Sequence, residues 1–235
     1  MFSFKRFSIL FVTAVVVIST ITAQQRKELT PEQSYLQESI EIMIIRETAR
    51  AENREQKVIA LEYIGEALAR GSTNDEIRQT LEYLSREGVM SNARENGRLV
   101  NNFPDIRRQS AKYLAQIGTE EARKTLIDIL QYEKYPTVLQ EMIKALGDIG
   151  SNPNNETVNN IAWSVDRLLN IGQADDLVAL AAIDAFEKIA KKNNGINSEA
   201  AIRTLMRIED RTSPYVTPIK ERARQLLAEL RTYGR

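Results

Sequence analysis

Three pairs of adjacent carboxylates have the residue type and spacing that general acid/base chemistry uses. The pairs are Asp75-Glu76, Glu120-Glu121 and Asp175-Asp176. Each pair stands where we predict a helix to begin, and there a carboxylate accepts hydrogen bonds from exposed backbone amides and interacts with the positive end of the helix dipole. The chain has no histidine and no cysteine, so it lacks the commonest general base, a thiolate nucleophile and the usual zinc ligands. We therefore predict structural carboxylates and a protein that is not an enzyme, with no catalytic, metal or cofactor site.

The composition is that of a water-soluble, helical chain. Apolar residues make up 43% and charged residues 27% of the 235 residues, and there are only ten glycines and six prolines. These values exclude collagen, low-complexity disorder and a protein with many membrane spans, and the shortage of turn residues favours helix. The 32 basic and 32 acidic side chains balance. We therefore expect no nucleic-acid partner and no attraction to anionic lipid.

The first 23 residues have the pattern of a signal peptide. Lys5 and Arg6 precede a stretch without charge that runs from Phe7 to Gln25, and Ala23 is a small residue suited to the position before cleavage. We predict that residues 1–23 are removed and that residues 24–235 are exported to the periplasm or beyond the cell. The alternative is an uncleaved membrane anchor, because the apolar stretch reaches the lower limit for a spanning helix, about 17 residues.

The remaining chain reads as a series of helix pairs. Apolar residues recur with the period of an amphipathic helix, and short polar or glycine-containing breaks separate the segments. The first helix begins at Thr30-Pro31-Glu32-Gln33, the pattern of a capping box. The predicted outer and inner helices are 31–48 with 50–69, 74–87 with 104–117, 119–133 with 136–149, 154–170 with 175–191, and 197–209 with 214–232.

The inner helices repeat one another. Residues 104–118 and 136–150 align without a gap, sharing a first proline, a leucine at place eleven and a final Ile-Gly. Each position is numbered as a place counted from the first residue of its copy. Places three, seven, eleven and fourteen then fall on one helical stripe. The first copy, 51–65, has Asn53 and Lys57 on this stripe, and we expect these polar residues on the unstacked face of a terminal repeat. In the later copies the stripe is apolar apart from one serine: Ile106, Ser110, Leu114, Ile117; Val138, Met142, Leu146, Ile149; Val178, Ala182, Phe186, Ile189; Ile219, Ala223, Leu227, Leu230.

These residues resemble the inner helix of the HEAT repeat family. The resemblance implies an all-α fold, a right-handed α-α superhelix of about five helix pairs over most of residues 30–235. It also implies that Arg107 is structural and paired with a neighbouring acid; the alternative is that Arg54, Arg107 and Lys220 form a basic ladder for phosphate. The chain departs from the family pattern at Leu139, Ala179 and Ala190. The matching residues are Pro104, Ile106, Arg107, Ala111, Leu114, Ile117, Gly118 and Pro136, Val138, Ala145, Leu146, Gly147, Ile149, Gly150.

An insertion interrupts the repeat at residues 87–103. The fourteenth places of the first two copies, Ile64 and Ile117, lie 53 residues apart, whereas the next spacing is 32. A long break in a tight array is either functional or a passive linker. In the functional case Arg94 and Arg98, with Asn101 and Asn102, present a polar finger to a partner.

A second unusual segment is the apolar run at residues 177–183. It is apolar on nearly every side, which a surface helix should not be. One interpretation is burial between neighbouring pairs and the outer helix that carries Trp163, Leu168 and Leu169. The other is that Leu180, with Leu139 one repeat earlier, forms an exposed apolar patch for a partner.

We expect the concave face, built by helices 104–117, 136–149 and 175–191, to bind another protein in a cell-envelope assembly, with no small-molecule substrate. Three alternatives remain. One is a ligand-binding or lyase-like protein, because chromophore lyases are built on similar HEAT repeats; one is a DNA-binding protein similar to HEAT-fold glycosylases; the third is a membrane-anchored repeat protein. The predicted polar contacts are Arg108, Lys112, Lys144, Asp184 and Lys188, and the predicted apolar anchors are Leu139 and Leu180.

Overall fold

A computed structural model describes residues 30–233, and these form ten α-helices and one short β-hairpin. A 3₁₀ turn, Pro153–Asn155, precedes the seventh helix. The strands are β1 (Arg94–Glu95) and β2 (Arg98–Leu99). The helices are α1 (Pro31–Arg50), α2 (Arg54–Ala69), α3 (Asp75–Arg86), α4 (Pro104–Ile117), α5 (Glu120–Leu130), α6 (Pro136–Ile149), α7 (Glu156–Asn170), α8 (Asp176–Asn193), α9 (Glu199–Glu209) and α10 (Thr217–Leu230).

The chain divides into two compact units, Met1–Ile40 and Glu41–Arg235. In the described part of the first unit, α1 begins with the predicted capping box. The backbone amide of Gln33 donates to Thr30 Oγ1 at 3.3 Å, and the amide of Thr30 donates to Gln33 Oε1 at 3.1 Å. The predicted signal peptide, residues 1–23, lies outside the described residues. None of the helices in residues 30–233 combines the length and the apolar character needed to cross a membrane.

The second unit is a two-layer α-solenoid. One layer contains α2, α4, α6, α8 and α10, each packed on the next, and the other contains α3, α5, α7 and α9 in the same order. These are the predicted inner and outer helices, and their bounds agree with the sequence prediction to within a few residues. The architecture follows from the apolar period, because each helix pair buries its stripe only by stacking on its neighbours.

The predicted stripe forms the core. All its members in α4, α6, α8 and α10 are buried except Ile117, which is partly buried. In the inner layer, α6 and α8 approach closely where Gly147 lies against Ala185. A Cβ atom at Gly147 would fall 2.8 Å from Ala185 Cα and 2.9 Å from Ala185 Cβ. Glycine therefore lets the two helices approach more closely than any other residue would allow.

The helix ends use polar side chains as the sequence predicts. Asp175 caps α8, its Oδ1 accepting from the amides of Leu177 and Val178 at 2.9 Å. Asp75 and Glu120 lie in the first turns of α3 and α5 and form ion pairs within those helices. All three carboxylate pairs thus stand at helix starts, in positions where they stabilise the helix.

Candidate protein-binding surfaces

Three cations on the inner layer are free to contact a partner. Arg108 and Lys112 lie one turn apart on α4, and Lys144 occupies on α6 the place that Lys112 occupies on α4. All three side chains are exposed, and none forms an ion pair with another described residue. This group, called the inner cation row below, contains three of the predicted contact residues.

Two further predicted residues are engaged within the molecule. Lys188 Nζ lies 2.6 Å from Asp148 Oδ1, which links α8 to α6. Asp184 lies 3.6 Å from Arg222 Nη2, and Arg222 also pairs with Glu187. These contacts join α8 to α10. The charges of Lys188 and Asp184 are therefore compensated between repeats, unlike those of the inner cation row.

The prediction that Leu139 and Leu180 form an exposed apolar patch is wrong. Leu139 is 0% exposed and Leu180 is only partly buried. Leu139 occupies place four of its copy, the place of Arg107 on α4 and Ala179 on α8, and all three side chains are buried because this place faces the neighbouring helices. Leu180 is at place five, so the two leucines do not lie on the same face. The run 177–183 is otherwise buried, as its other interpretation predicts, except for Leu177.

The insertion is a closed loop. Gly88 lies against the backbone of Asn101 and Asn102, where a Cβ atom would fall 2.6 Å from Asn101 O and 2.7 Å from Asn102 Cα. The side chain of Asn101 accepts from the amide of Ala93 at 2.9 Å and donates to Ser91 O at 2.7 Å. The two ends of the insertion are therefore held together, and the segment is an ordered loop.

A β-hairpin forms the tip of the insertion. β1 and β2 pair antiparallel, with Arg94 opposite Leu99 and Glu95 opposite Arg98. Asn96 and Gly97 connect them with φ values of 48° and 80°, as a type I′ turn requires. Arg94 and Arg98 are both exposed, as the polar-finger hypothesis expects. The Asn-Gly pair is the sequence signal for this hairpin, which the all-helical prediction does not include.

A buried ion pair holds the start of the insertion. Lys57 is 1% exposed, and its Nζ lies 3.0 Å from Glu87 Oε1 and 2.9 Å from Oε2, and donates to Ala49 O at 2.9 Å. The expectation that Lys57 lies on an exposed terminal face is therefore wrong, because Glu87 neutralises the lysine inside the protein. Burial, reinforced by the charge of Glu87, raises the pKa of Tyr83, whose hydroxyl donates to Glu87 Oε1 at 3.1 Å.

A second buried ion pair joins the insertion to the body of the solenoid. Arg107 Nε donates to Glu133 Oε2 at 2.7 Å, and both side chains are fully buried. Arg107 Nη1 also donates to Glu87 O at 3.1 Å and to Asn102 Oδ1 at 3.0 Å. Arg107 thus has the structural role that the family resemblance implies. Arg54 pairs with Asp105 at 2.6 Å, so the phosphate ladder finds no support.

A cleft of about 230 Å³ separates the insertion from the turn between α5 and α6. The buried pair of Arg107 and Glu133 lines it, and Asn102 Nδ2 donates to the hydroxyl of Tyr135 at 2.7 Å. We call this space the corner cleft. Its lining residues on the insertion side include Asn92, Arg94 and Leu99, and those on the turn are Tyr132, Lys134 and Tyr135.

An exposed tryptophan lies beside the same turn. Trp163 on α7 is 47% exposed, and its ring centroid lies 5.0 Å from the guanidinium carbon of Arg167. Arg167 donates to Gln131 O at 3.1 Å and to Glu133 O at 2.7 Å. Trp163 therefore belongs in large part to the surface, whereas we expected it to cover the apolar run of α8.

Residues 30–233 contain no group of His, Cys, Asp or Glu that could hold a metal ion.

Comparisons with known proteins agree with this architecture. Residues 98–161 match the family model of HEAT repeats. The fold is similar to that of one chain in the solved structure of the complex of CpcE and CpcF of phycocyanin lyase from Nostoc sp. PCC7120, with 16% sequence identity, a TM-score of 0.53, and 90% of this chain and 70% of that chain covered. A de novo designed 16-helix transmembrane nanopore matches with 16% identity and a TM-score of 0.27 over 85% of this chain and 62% of that chain. No curated protein matches. Residues 98–161 are therefore similar to HEAT repeats, and the described helices of the second unit form an α-solenoid.

Proposed function

We propose that this HEAT-repeat chain is an exported adaptor that binds another protein of the cell envelope across its inner helices. The observation that carries the proposal is the inner cation row: Arg108, Lys112 and Lys144 are exposed and uncompensated, whereas the charges on α8 pair with neighbouring repeats. Unpaired charges on one surface guide association with a surface of opposite charge. The expected partner therefore presents an acidic surface.

The solenoid suits this role because it is already ordered. Each inner helix is fixed by its neighbours, so a partner meets side chains whose positions cost little further entropy on binding. Arg108 and Lys112 on α4 continue to Lys144 on α6, so the contact extends over two repeats. Protein binding by a rigid array of this kind needs no catalytic residue.

Charge reversal tests the proposal. The wild-type chain and a Lys112→Glu/Lys144→Glu variant are expressed with a tag in the native host, crosslinked and captured, and the bound proteins are quantified by mass spectrometry. We expect at least one envelope protein to be lost by about tenfold or more from the variant. The matched control is Lys124→Glu, because Lys124 is an exposed lysine without an ion pair on α5 in the outer layer. Equal capture by all three chains, or equal loss in the control, contradicts the proposal.

Export is tested separately. Cleavage of the predicted signal peptide after Ala23 gives a mature chain that begins at Gln24, and mass spectrometry of the amino terminus from the native host identifies it. A mature protein that retains residues 1–23 in the membrane fraction favours the anchored alternative instead. A chain that retains residues 1–23 in the cytoplasm contradicts export.

A ligand-binding or lyase-like role is the second candidate. It is motivated by the similarity in fold to the phycocyanin lyase complex. Its test is the absorbance spectrum of the protein purified from its native host. Visible absorbance that copurifies with the chain favours this candidate, and loss of partner capture without any such absorbance favours the adaptor.

A further inference from the structure

We propose that the corner cleft is a second protein-binding site, which takes a short acidic segment of a partner with an apolar side chain at its centre. It is distinct from the inner cation row, because its walls are the insertion and the turn between α5 and α6. The proposal does not depend on the adaptor function argued above.

The charge of the lining selects an acidic segment. Arg94 and Lys134 are exposed and form no ion pair with a described residue. Glu133 is the single acid among the lining residues, and it is fully engaged: it pairs with Arg107, and its Oε1 accepts from the amides of Lys134 at 2.8 Å and Tyr135 at 3.0 Å. The cleft therefore offers two free positive charges and no free negative charge, which fits carboxylates.

The apolar part of the surface selects the central side chain. Leu99 and Tyr132 line the cleft, and Tyr132 is 56% exposed on the turn. Trp163 is not a lining residue, but its ring contacts Arg167, which donates to two carbonyl groups of the turn. Tryptophan, tyrosine and arginine are the residues that contribute most to binding energy at protein interfaces. A cleft of about 230 Å³ admits one or two side chains of a segment. It is too small for a folded domain.

The cleft is built before a partner arrives. Arg107 bonds to both walls, to Glu87 and Asn102 of the insertion and to Glu133 of the turn. Tyr135 is fixed by its bond from Asn102 and by the guanidinium of Arg107, 5.6 Å from its ring centroid. Binding therefore orders few side chains of this protein, which lowers the entropic cost.

A peptide-display selection tests the chemistry of the site. The purified protein is exposed to a library of short random peptides, and the enriched sequences are read. We expect them to combine aspartate or glutamate with a phenylalanine, leucine or tryptophan. Each enriched peptide without tryptophan is then synthesised and titrated against the protein, with the emission of Trp163 as readout. The chain contains one tryptophan, so a saturable change in emission reports a peptide whose binding alters the surroundings of Trp163, which Arg167 links to the turn.

Variants decide whether the peptides occupy the corner cleft. Arg94→Glu/Lys134→Glu should weaken binding of the enriched peptides by about tenfold or more, because both free cations become anions. Lys112→Glu, a charge reversal of the inner cation row, should leave the affinity unchanged; this also separates the result from the adaptor hypothesis. Enriched peptides without acidic residues, or peptides that bind the double variant as tightly as the wild type, overturn the proposal. Tighter binding of single-stranded oligothymidylate than of any enriched peptide also overturns it and assigns the surface to nucleic acid.

Discussion

The region around the insertion and the contact between α6 and α8 belong to the same repeat array but are held together by different interactions. Near the insertion, two buried ion pairs, Lys57 with Glu87 and Arg107 with Glu133, fix the chain. Between α6 and α8 the contact is apolar and very close, with Gly147 against Ala185. We call these the charged region and the apolar region.

The difference shows how one repeat array can both position a loop and support a regular stack of helices. Removing charges from water costs free energy, and buried pairs recover it only when their geometry is well satisfied. Their directional bonds are what an irregular loop needs, and Arg107 uses them to hold both ends of the insertion. Apolar packing has little directionality but stabilises a regular helix contact efficiently. The charged region therefore positions a loop, and the apolar region supports the solenoid.

Removal of one charge from the charged region should have the largest effect. Glu133→Ala leaves the guanidinium of Arg107 buried without its carboxylate, and we expect the free energy of unfolding to fall by about 3–5 kcal/mol. Urea denaturation followed by circular dichroism measures it. The double variant Arg107→Met/Glu133→Gln removes both charges and should be less destabilised than Glu133→Ala. A lower free energy of unfolding for the double variant than for Glu133→Ala would contradict this expectation. It would mean that the attraction within the ion pair outweighs the cost of removing both charges from water.

A methyl group in the apolar region should have an intermediate effect. Gly147→Ala places a Cβ atom against the backbone of α8, and overpacking of this kind costs about 1–3 kcal/mol. The matched control is Gly65→Ala on α2, where the added atom meets the hydroxyl end of Tyr113, a side chain that can rotate away. Both variants gain about 1 kcal/mol of helix propensity, so the comparison between them isolates the packing cost. We expect thermal denaturation to show a lower Tm for Gly147→Ala and little change or an increase for Gly65→Ala. Equal losses would mean that the two contacts are equally rigid.

Acid should produce the smallest effect, through the surface pairs beside the apolar region. Hydrogen bonds from Lys191, together with the charge and hydrogen bond of Arg222, lower the pKa of Glu187. A carboxyl whose pKa is lower in the folded than in the unfolded state stabilises the folded state at any pH above the unfolded-state pKa. This stabilisation is lost as the pH falls through the folded-state pKa. Stability should therefore decrease below the ordinary glutamate range, and Glu187→Gln should reduce the slope of stability against pH there. Urea titrations across acidic pH measure both slopes, and an unchanged slope contradicts the role of Glu187.

The regular part of the fold could be predicted from the sequence because it depends on local patterns. The stripe that contains Val138 and Met142, the capping box at Thr30, and the final Ile-Gly of the repeats each report a helix face or helix end directly. The inner cations Arg108 and Lys112 were placed correctly on the exposed face for the same reason. Helical period alone determines which side of an amphipathic helix meets water.

The errors concern residues whose environment depends on distant partners. The burial of Lys57 depends on Glu87, thirty residues later in the chain. The position in α8 that corresponds to Leu139 is Ala179, not Leu180. A shift of one residue along a helix turns the side chain by about 100° around the helix axis. The exposure of Trp163 depends on how Arg167 meets the turn at Gln131 and Glu133. The corner cleft could not be predicted, because its two walls come from separate segments that Arg107 and the hydrogen bond from Asn102 to Tyr135 bring together.

The closed base of the insertion separates its tip from the rest of the molecule. Gly88 lies against the backbone of Asn101 and Asn102 at the base of the loop, so a contact outside the hairpin brings the ends of α3 and α4 together. Exposed tips of this kind tolerate inserted sequence well. The turn at Asn96 and Gly97 is consequently a position where evolution, or an engineer, can add an epitope, a fluorophore or a longer recognition element while the register of the repeats is preserved.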